Sequence, residues 1–206
     1  MDPNFLITAF VALFVVIDPI GLAPLFVALT LGMSPQKRRA IAVRACLVAI
    51  GLLLVFSLFG EGILGFIGIS MPAFRIAGGI LLFLTALDML FERRQKRRED
   101  QAEDDDHDDD PSVFPLAIPL IAGPGSIATI ILLVGQTEGA AGYFAVMGVL
   151  LAIFALTFVM FLGSSTIERL LGKTGITVVT RLLGMLLAAL AVQFVLDGLR
   201  GFGLGN

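Results

Sequence analysis

Residues 5–31 read FLITAFVALFVVIDPIGLAPLFVALTL. The stretch is apolar on all sides, and a bilayer core of ~30 Å is crossed by about 20 such residues in a helix. A β-barrel strand would alternate in polarity, and a helix satisfies its own backbone in lipid, so the stretch reads as a transmembrane helix. It is long for one crossing, and Asp18-Pro19-Ile20-Gly21 and Pro24 interrupt it. Proline lacks the N–H and crowds the carbonyl four residues back, and glycine loosens the backbone. A kinked or unwound first helix is expected.

Five more apolar segments follow, at 41–60, 71–91, 113–133, 141–163 and 176–199. The composition agrees: of 206 residues 57% are hydrophobic and 15% charged, against about 25% charged in soluble domains. Much of the charge lies between Glu92 and Asp110. The N-terminus has no basic region and no cleavage pattern of a secretory signal, so the first helix is expected to stay in the mature protein. The single cysteine, Cys46, excludes an intramolecular disulfide and reads as a small buried apolar side chain.

The fourth segment carries Ala122-Gly123-Pro124-Gly125-Ser126, with Pro115 and Pro119 before it. Laid on the first half at an offset of about 105, Pro19 falls on Pro124, Gly21 on Ser126 and Ala23 on Ala128. At about 106, Arg75 falls on Arg181, Gly78 on Gly184, Leu81 on Leu187 and Leu84 on Leu190. An odd number of helices per half makes the second half enter from the opposite side. The expectation is an all-α membrane protein: six transmembrane helices as two inverted three-helix repeats, with helices 1 and 4 broken near the midplane. The halves are 1–91 and 113–206, joined by a charged cytoplasmic linker at 92–112.

Orientation follows from Lys and Arg in the loops. Lys37, Arg38, Arg39 and Arg44, then Arg93, Arg94, Lys96, Arg97 and Arg98, then Arg169 and Lys173 all fall on one side. That side is expected to be cytoplasmic, with both termini outside. The basic run reads as an anchor against anionic lipid headgroups, and the acidic run 99–110 as a solvated, self-repelling tether. Its aspartates and His107 show no defined metal-ligand spacing.

Helices broken at matching positions in two repeats point to a substrate site. A restarting half-helix offers unpaired N–H groups and partial positive charge, which suits a carboxylate or another anion. Asp18, Gly21, Gly123, Gly125 and Ser126 are expected to line the site, with Pro19, Pro24 and Pro124 shaping it and Ser126 and Thr129 adding hydroxyl donors. Asp18 reads either as the N-cap of the restarted helix or as a proton- or cation-responsive intramembrane carboxylate. Arg75 and Arg181 read either as snorkelling cations or as matched gates or anchors that reach an anionic substrate or the carbonyls of the broken helices. Mid-helix Gln193 is expected to hydrogen-bond between helices.

Asp18-Pro19-Ile20-Gly21-Leu22-Ala23-Pro24-Leu25-Phe26 and Pro119-Leu120-Ile121-Ala122-Gly123-Pro124-Gly125-Ser126-Ile127-Ala128-Thr129 resemble the first- and fourth-helix motifs of the MarC family of bacterial inner-membrane proteins. Arg75-Ile76-Ala77-Gly78-Gly79 resembles its third-helix pattern. The resemblance covers nearly the whole chain except the acidic linker, which is longer and more acidic than the family pattern. It implies a multi-pass inner-membrane protein related to amino-acid exporters.

The expected function is secondary transport of small solutes, amino acids or related metabolites, by alternating access. A coupling proton or sodium ion and a homo-oligomer are compatible with it. A non-transporting membrane scaffold or regulator is the alternative, and a passive channel is a third reading. No nucleophile–base pair, phosphate loop or metal motif is present, so no enzyme, cofactor or metal site is expected. The short basic run followed by acids gives no nucleic-acid surface.

Overall fold

The computed structural model describes residues 3–94, 96–98 and 110–203; most of the acidic tether, His107 included, lies outside them. All secondary structure among the described residues is helical. It comprises α1 (Pro3–Ile17), α2 (Pro19–Leu29), α3 (Pro35–Ile67), α4 (Met71–Leu90), α5 (Ser112–Ile121), α6 (Pro124–Val134), α7 (Gly139–Leu162) and α8 (Ser164–Gly201). Five stretches are long and apolar enough to cross a membrane: Pro3–Leu29, Pro35–Ile67, Met71–Leu90, Gly139–Leu162 and Arg169–Gly201. The pair α5–α6, bent by 56°, makes a sixth if counted as one crossing. Large apolar side chains such as Leu31, Leu47, Phe59, Phe66, Phe144 and Val159 stand exposed on the outside of the bundle. Lipid, not water, is the solvent that such a surface suits.

Short polar punctuation starts the helices. Ser34 and Ser70 each accept a backbone N–H three residues on, at Lys37 and Ala73, and proline occupies the first turn that follows. Such caps satisfy donors that the first turn leaves unpaired. The third helix runs well beyond the apolar segment at 41–60, because the basic residues 37–39 extend it at one end and Gly68, at φ 85°, ends it at the other. Gly172, at φ 61°, interrupts α8 near its start.

Asp18 alone separates α1 from α2, in a left-handed conformation at φ 56° and ψ 63°. The interruption is shallower than an unwound segment. Asp18 N–H still donates to Phe14 O, and Leu22 N–H to Asp18 O. The α5–α6 boundary is deeper. Within α5, Phe114 and Ile118 take extended conformations, each immediately before a proline that disfavours the helical region for the residue preceding it. The Phe114–Pro115 and Ile118–Pro119 bonds are cis.

The most extensive pairing is between α4 and α8, which run antiparallel. Small residues permit it. A Cβ on Gly79 would lie 2.7 Å from Ala191 O, one on Gly184 would lie 2.9 Å from Met89 Cβ, and one on Gly198 would lie 2.8 Å from Pro72 O. Elsewhere α3 packs on α5 and α6, α7 packs on α1 and α2, α6 touches α4, and α2 touches α8. Phe26 of α2 stacks on Phe161 of α7 at 4.6 Å. The connections after α2, α4 and α7 share one end of the bundle. Arg38 donates to Ser164 Oγ, Arg44 pairs with Asp110, and Arg181 pairs with Glu92.

Candidate functional site: a cationic cavity at the α5–α6 break

A cavity of ≈ 280 Å³ lies where the end of α1, the second half of α4, the α5–α6 break and Arg94, Arg97 and Arg98 converge. Its polar wall is Arg94, Arg97, Arg98, Thr85 and Ser126, and the backbone of Gly123 and Gly125 completes it.

The site starts from Asp18. Its carboxylate accepts the Gly21 N–H at 3.0 Å, as an N-cap does. Gly21 has no side chain for a reason: a Cβ there would stand 2.2 Å from Asp18 Oδ2. The other carboxylate oxygen takes Arg98, whose Nη1 lies 3.0 Å from Asp18 Oδ2. Arg98 Nη2 donates to Ile17 O at 3.2 Å, and Arg94 Nη2 donates to Val16 O. Two guanidinium groups thus occupy the carbonyl end of α1, where orphan acceptors and the negative end of the helix dipole favour cations. Asp18, Arg94 and Arg98 are 1%, 7% and 5% exposed.

Arg94 and Arg98 are therefore not the headgroup anchors expected from the basic run. The chain reverses after α4 at Glu92, at φ 61°, and its helical continuation carries them back into the bundle. Arg97, on the outer face of that turn, pairs with Asp88 at 2.9 Å. Two signals were present in the sequence: the i, i+4 spacing of Arg94 and Arg98 puts them on one helical face, and an intramembrane Asp18 calls for a counter-charge. Burial, chiefly, lowers the Arg94 guanidinium to about 9, with the neighbouring Arg98 cation acting in the same direction. Arg98 is lowered by burial too, against the opposing pull of Asp18.

Across the cavity stands the N-terminus of α6. Gly123 is its cap and offers no side chain, and Pro124 follows at the first position. The Gly125 and Ser126 N–H groups belong to the first turn, which has no intrahelical acceptors. A Cβ on Gly125 would lie 3.3 Å from Val16 Cγ1, so the α6 turn sits close to the end of α1.

Of the residues singled out from the sequence, Gly123, Pro124, Gly125 and Ser126 line the cavity, and Asp18 joins it through Arg98. Pro19, Gly21 and Thr129 are buried behind it. Pro24 lies inside an uninterrupted α2. The hydroxyls expected as donors are engaged with backbone: Ser126 Oγ donates to Ile121 O across the break, and Thr129 Oγ1 donates to Gly125 O, both at 2.8 Å. Arg75 is remote from the cavity and donates to Gly135 O, at the far end of α6, at 3.4 Å. Arg181 is exposed and pairs with Glu92, so the two arginines do not occupy matched settings. Gln193 does not bridge helices. It lies on an exposed face of α8 and donates to Asp197 Oδ1 of the same helix at 2.9 Å.

Comparison with known proteins agrees with the motifs. Residues 3–202 match the model of the MarC family integral membrane proteins. The chain is 37% identical to the UPF0056 membrane protein MJ1677 of Methanocaldococcus jannaschii over 98% of each chain. It is 40% identical to the UPF0056 membrane protein YvbG of Bacillus subtilis, over 96% of this chain and 95% of that one. It is 39% identical to the UPF0056 inner membrane protein YhgN of Escherichia coli K12, over 96% of this chain and 97% of that one. No solved structure matches it significantly. With nearly its whole length matched, the chain belongs to the MarC family of integral membrane proteins.

Proposed function

We propose that this protein is a secondary transporter of small solutes, amino acids or related metabolites, which moves them by alternating access around the cavity at the α5–α6 break. The observation that carries the reading is the cavity itself: a polar, cation-lined space between apolar helices, with a helix N-terminus on one wall and the carbonyl end of another helix beside it. Polar groups at that position in a lipid-facing bundle are costly unless used, and helix breaks around a central site are the design of many transporters.

Two three-helix repeats of opposite orientation belong to this reading, with breaks at Asp18 and at Gly123 near the midplane. The packing pattern supports them: α3 covers α5 and α6 as α7 covers α1 and α2, and α6 meets α4 as α2 meets α8. In the antiparallel α4–α8 pair, Gly79 against Ala191 and Gly184 against Ala86 fall at nearly equivalent places about a central twofold. The arginine-rich end faces the cytoplasm in this reading, by the loop-charge rule. The membrane is the plasma membrane, and a proton or sodium gradient drives the solute.

The test is uptake by the purified protein in liposomes, using labelled amino acids with imposed pH or sodium gradients. Accumulation above the external concentration supports the proposal. Equilibration without accumulation indicates a channel, and no flux with a folded sample removes the transport reading.

A further inference from the structure

Three arginines line the cavity, and two have a carboxylate each: Arg98 has Asp18 at 3.0 Å and Arg97 has Asp88 at 2.9 Å. Arg94 has none among the described residues. Its acceptors are neutral, Val16 O and the thioether Sδ of Met89 at 2.9 Å. Sulfur is a weak acceptor. A guanidinium this deeply buried ordinarily sits beside a counter-charge, since desolvating an unpaired cation is expensive. Among the described residues paired at the cavity, Arg94, Arg97 and Arg98 against Asp18 and Asp88 leave one positive charge. The cavity between Arg94 and the opposite wall ends on the first turn of α6, whose N–H groups and dipole also favour an anion.

We propose that Arg94 and the α6 N-terminus together bind the carboxylate of a small monoanionic or zwitterionic solute, whose negative charge completes the neutralisation of the cavity. The planar fork of a guanidinium matches a carboxylate in a bidentate manner, and Gly125 keeps the first turn of α6 open to close approach. The volume, ≈ 280 Å³, is below the about 300–1,000 Å³ of pockets for drug-sized ligands, so the occupant is metabolite-sized. A second net negative charge on the solute would find no further cation among the described residues that line the cavity. This inference names the ligand chemistry of the transport site proposed above and rests on that reading, but binding and flux are measured separately.

The test is thermal stabilisation of the full-length detergent-purified protein by matched probes: glycine, alanine and leucine, each against its own amide, together with acetate and inorganic phosphate. A ligand that binds only the folded state raises the melt. The expected result is a shift with at least one acid, none with its amide, and little with phosphate at a pH where it is largely dianionic. Arg94→Met should lose the acid-induced shift, with an affinity at least about 30-fold weaker, while its melt without ligand stays equal or rises, because an unpaired buried charge has been removed. Arg94→Lys should keep part of the response. If Arg94→Met does not fold, the acid-against-amide comparison in the unsubstituted protein decides the question. Equal shifts with acid and amide, an unchanged response in Arg94→Met, or no shift with any acid would overturn the proposal. Flux of uncharged solutes in liposomes with no acid preference would overturn this inference while leaving transport standing.

Discussion

The guanidinium of Arg98 lies 3.0 Å from the carboxylate of Asp18, with both side chains buried and the two residues belonging to segments 80 positions apart. This ion pair ties the turn after α4 to the interruption in the first transmembrane stretch. Breaking a buried pair by removing one partner costs about 3–5 kcal/mol, because the other charge remains desolvated. Arg98→Met and Asp18→Asn should each lower the melting temperature in detergent clearly. The double variant should be less destabilised than the sum of the two, since neither charge is then left alone. Strict additivity would mean that the pair is not formed in solution.

Gly21 tests the same arrangement without touching a charge. An alanine Cβ would lie 2.2 Å from Asp18 Oδ2, so the carboxylate must leave the Gly21 N–H or Arg98. Gly21→Ala should destabilise by about 1–3 kcal/mol. Gly51→Ala, inside α3 with nothing within 4 Å of its Cβ, should stabilise by up to about 1 kcal/mol through helix propensity alone. Melting curves of the two side by side separate a steric effect from a propensity effect.

Gly123 and Gly125 differ in what a side chain would meet, although the sequence suggests equal roles. A Cβ at Gly123 collides with Pro119 O at 2.5 Å, a backbone atom that cannot swing aside. At Gly125 the nearest atom is Val16 Cγ1 at 3.3 Å, and the space beyond is the cavity. Gly125→Leu should therefore fill the site and abolish solute uptake while the melt falls by no more than about 1–3 kcal/mol. Gly123→Leu should impair folding first, read as a loss of monodisperse protein. Full uptake by Gly125→Leu would exclude this cavity as the route.

Arg75 and Arg181 are expected to separate on mutation. Arg181 and Glu92 are both about half exposed, and such pairs contribute about 0–1 kcal/mol. Arg181→Ala should leave the melt nearly unchanged. Arg75 reaches the C-terminal end of α6 through Gly135 O, and its buried Nε has no partner among the described residues. Arg75→Met should alter the melt by about 1 kcal/mol and leave ligand affinity at the cavity intact, as read from ligand-induced melting shifts.

The apolar segments and the interruptions were readable locally because their causes are local. Prolines 19, 35, 72 and 124 each stand in the first turn of a helix, and Asp18, Ser34 and Ser70 supply the cap bonds from the residue that precedes the helix. Proline acts on the residue before it and on the carbonyl behind it, so the α5–α6 break follows from its own few residues. The cavity was half legible: its α6 wall was named from the sequence, its arginine wall was not. Residues 93–98 have the composition of a juxtamembrane anchor, and nothing within that stretch distinguishes lipid headgroups from helix carbonyls as the acceptors.

By itself, then, the sequence determined a membrane-embedded helical chain and the points at which its first and fourth apolar stretches are interrupted, since hydropathy and proline geometry operate over a few residues. Only the tertiary structure decided that Arg94 and Arg98 turn inward to the end of α1, that Asp18 takes one of them, and that Arg94 is left facing a cavity. Whether a charge can be buried depends on which opposite charges and carbonyls the fold brings within 3–4 Å of it, and here those partners lie about eighty residues away along the chain.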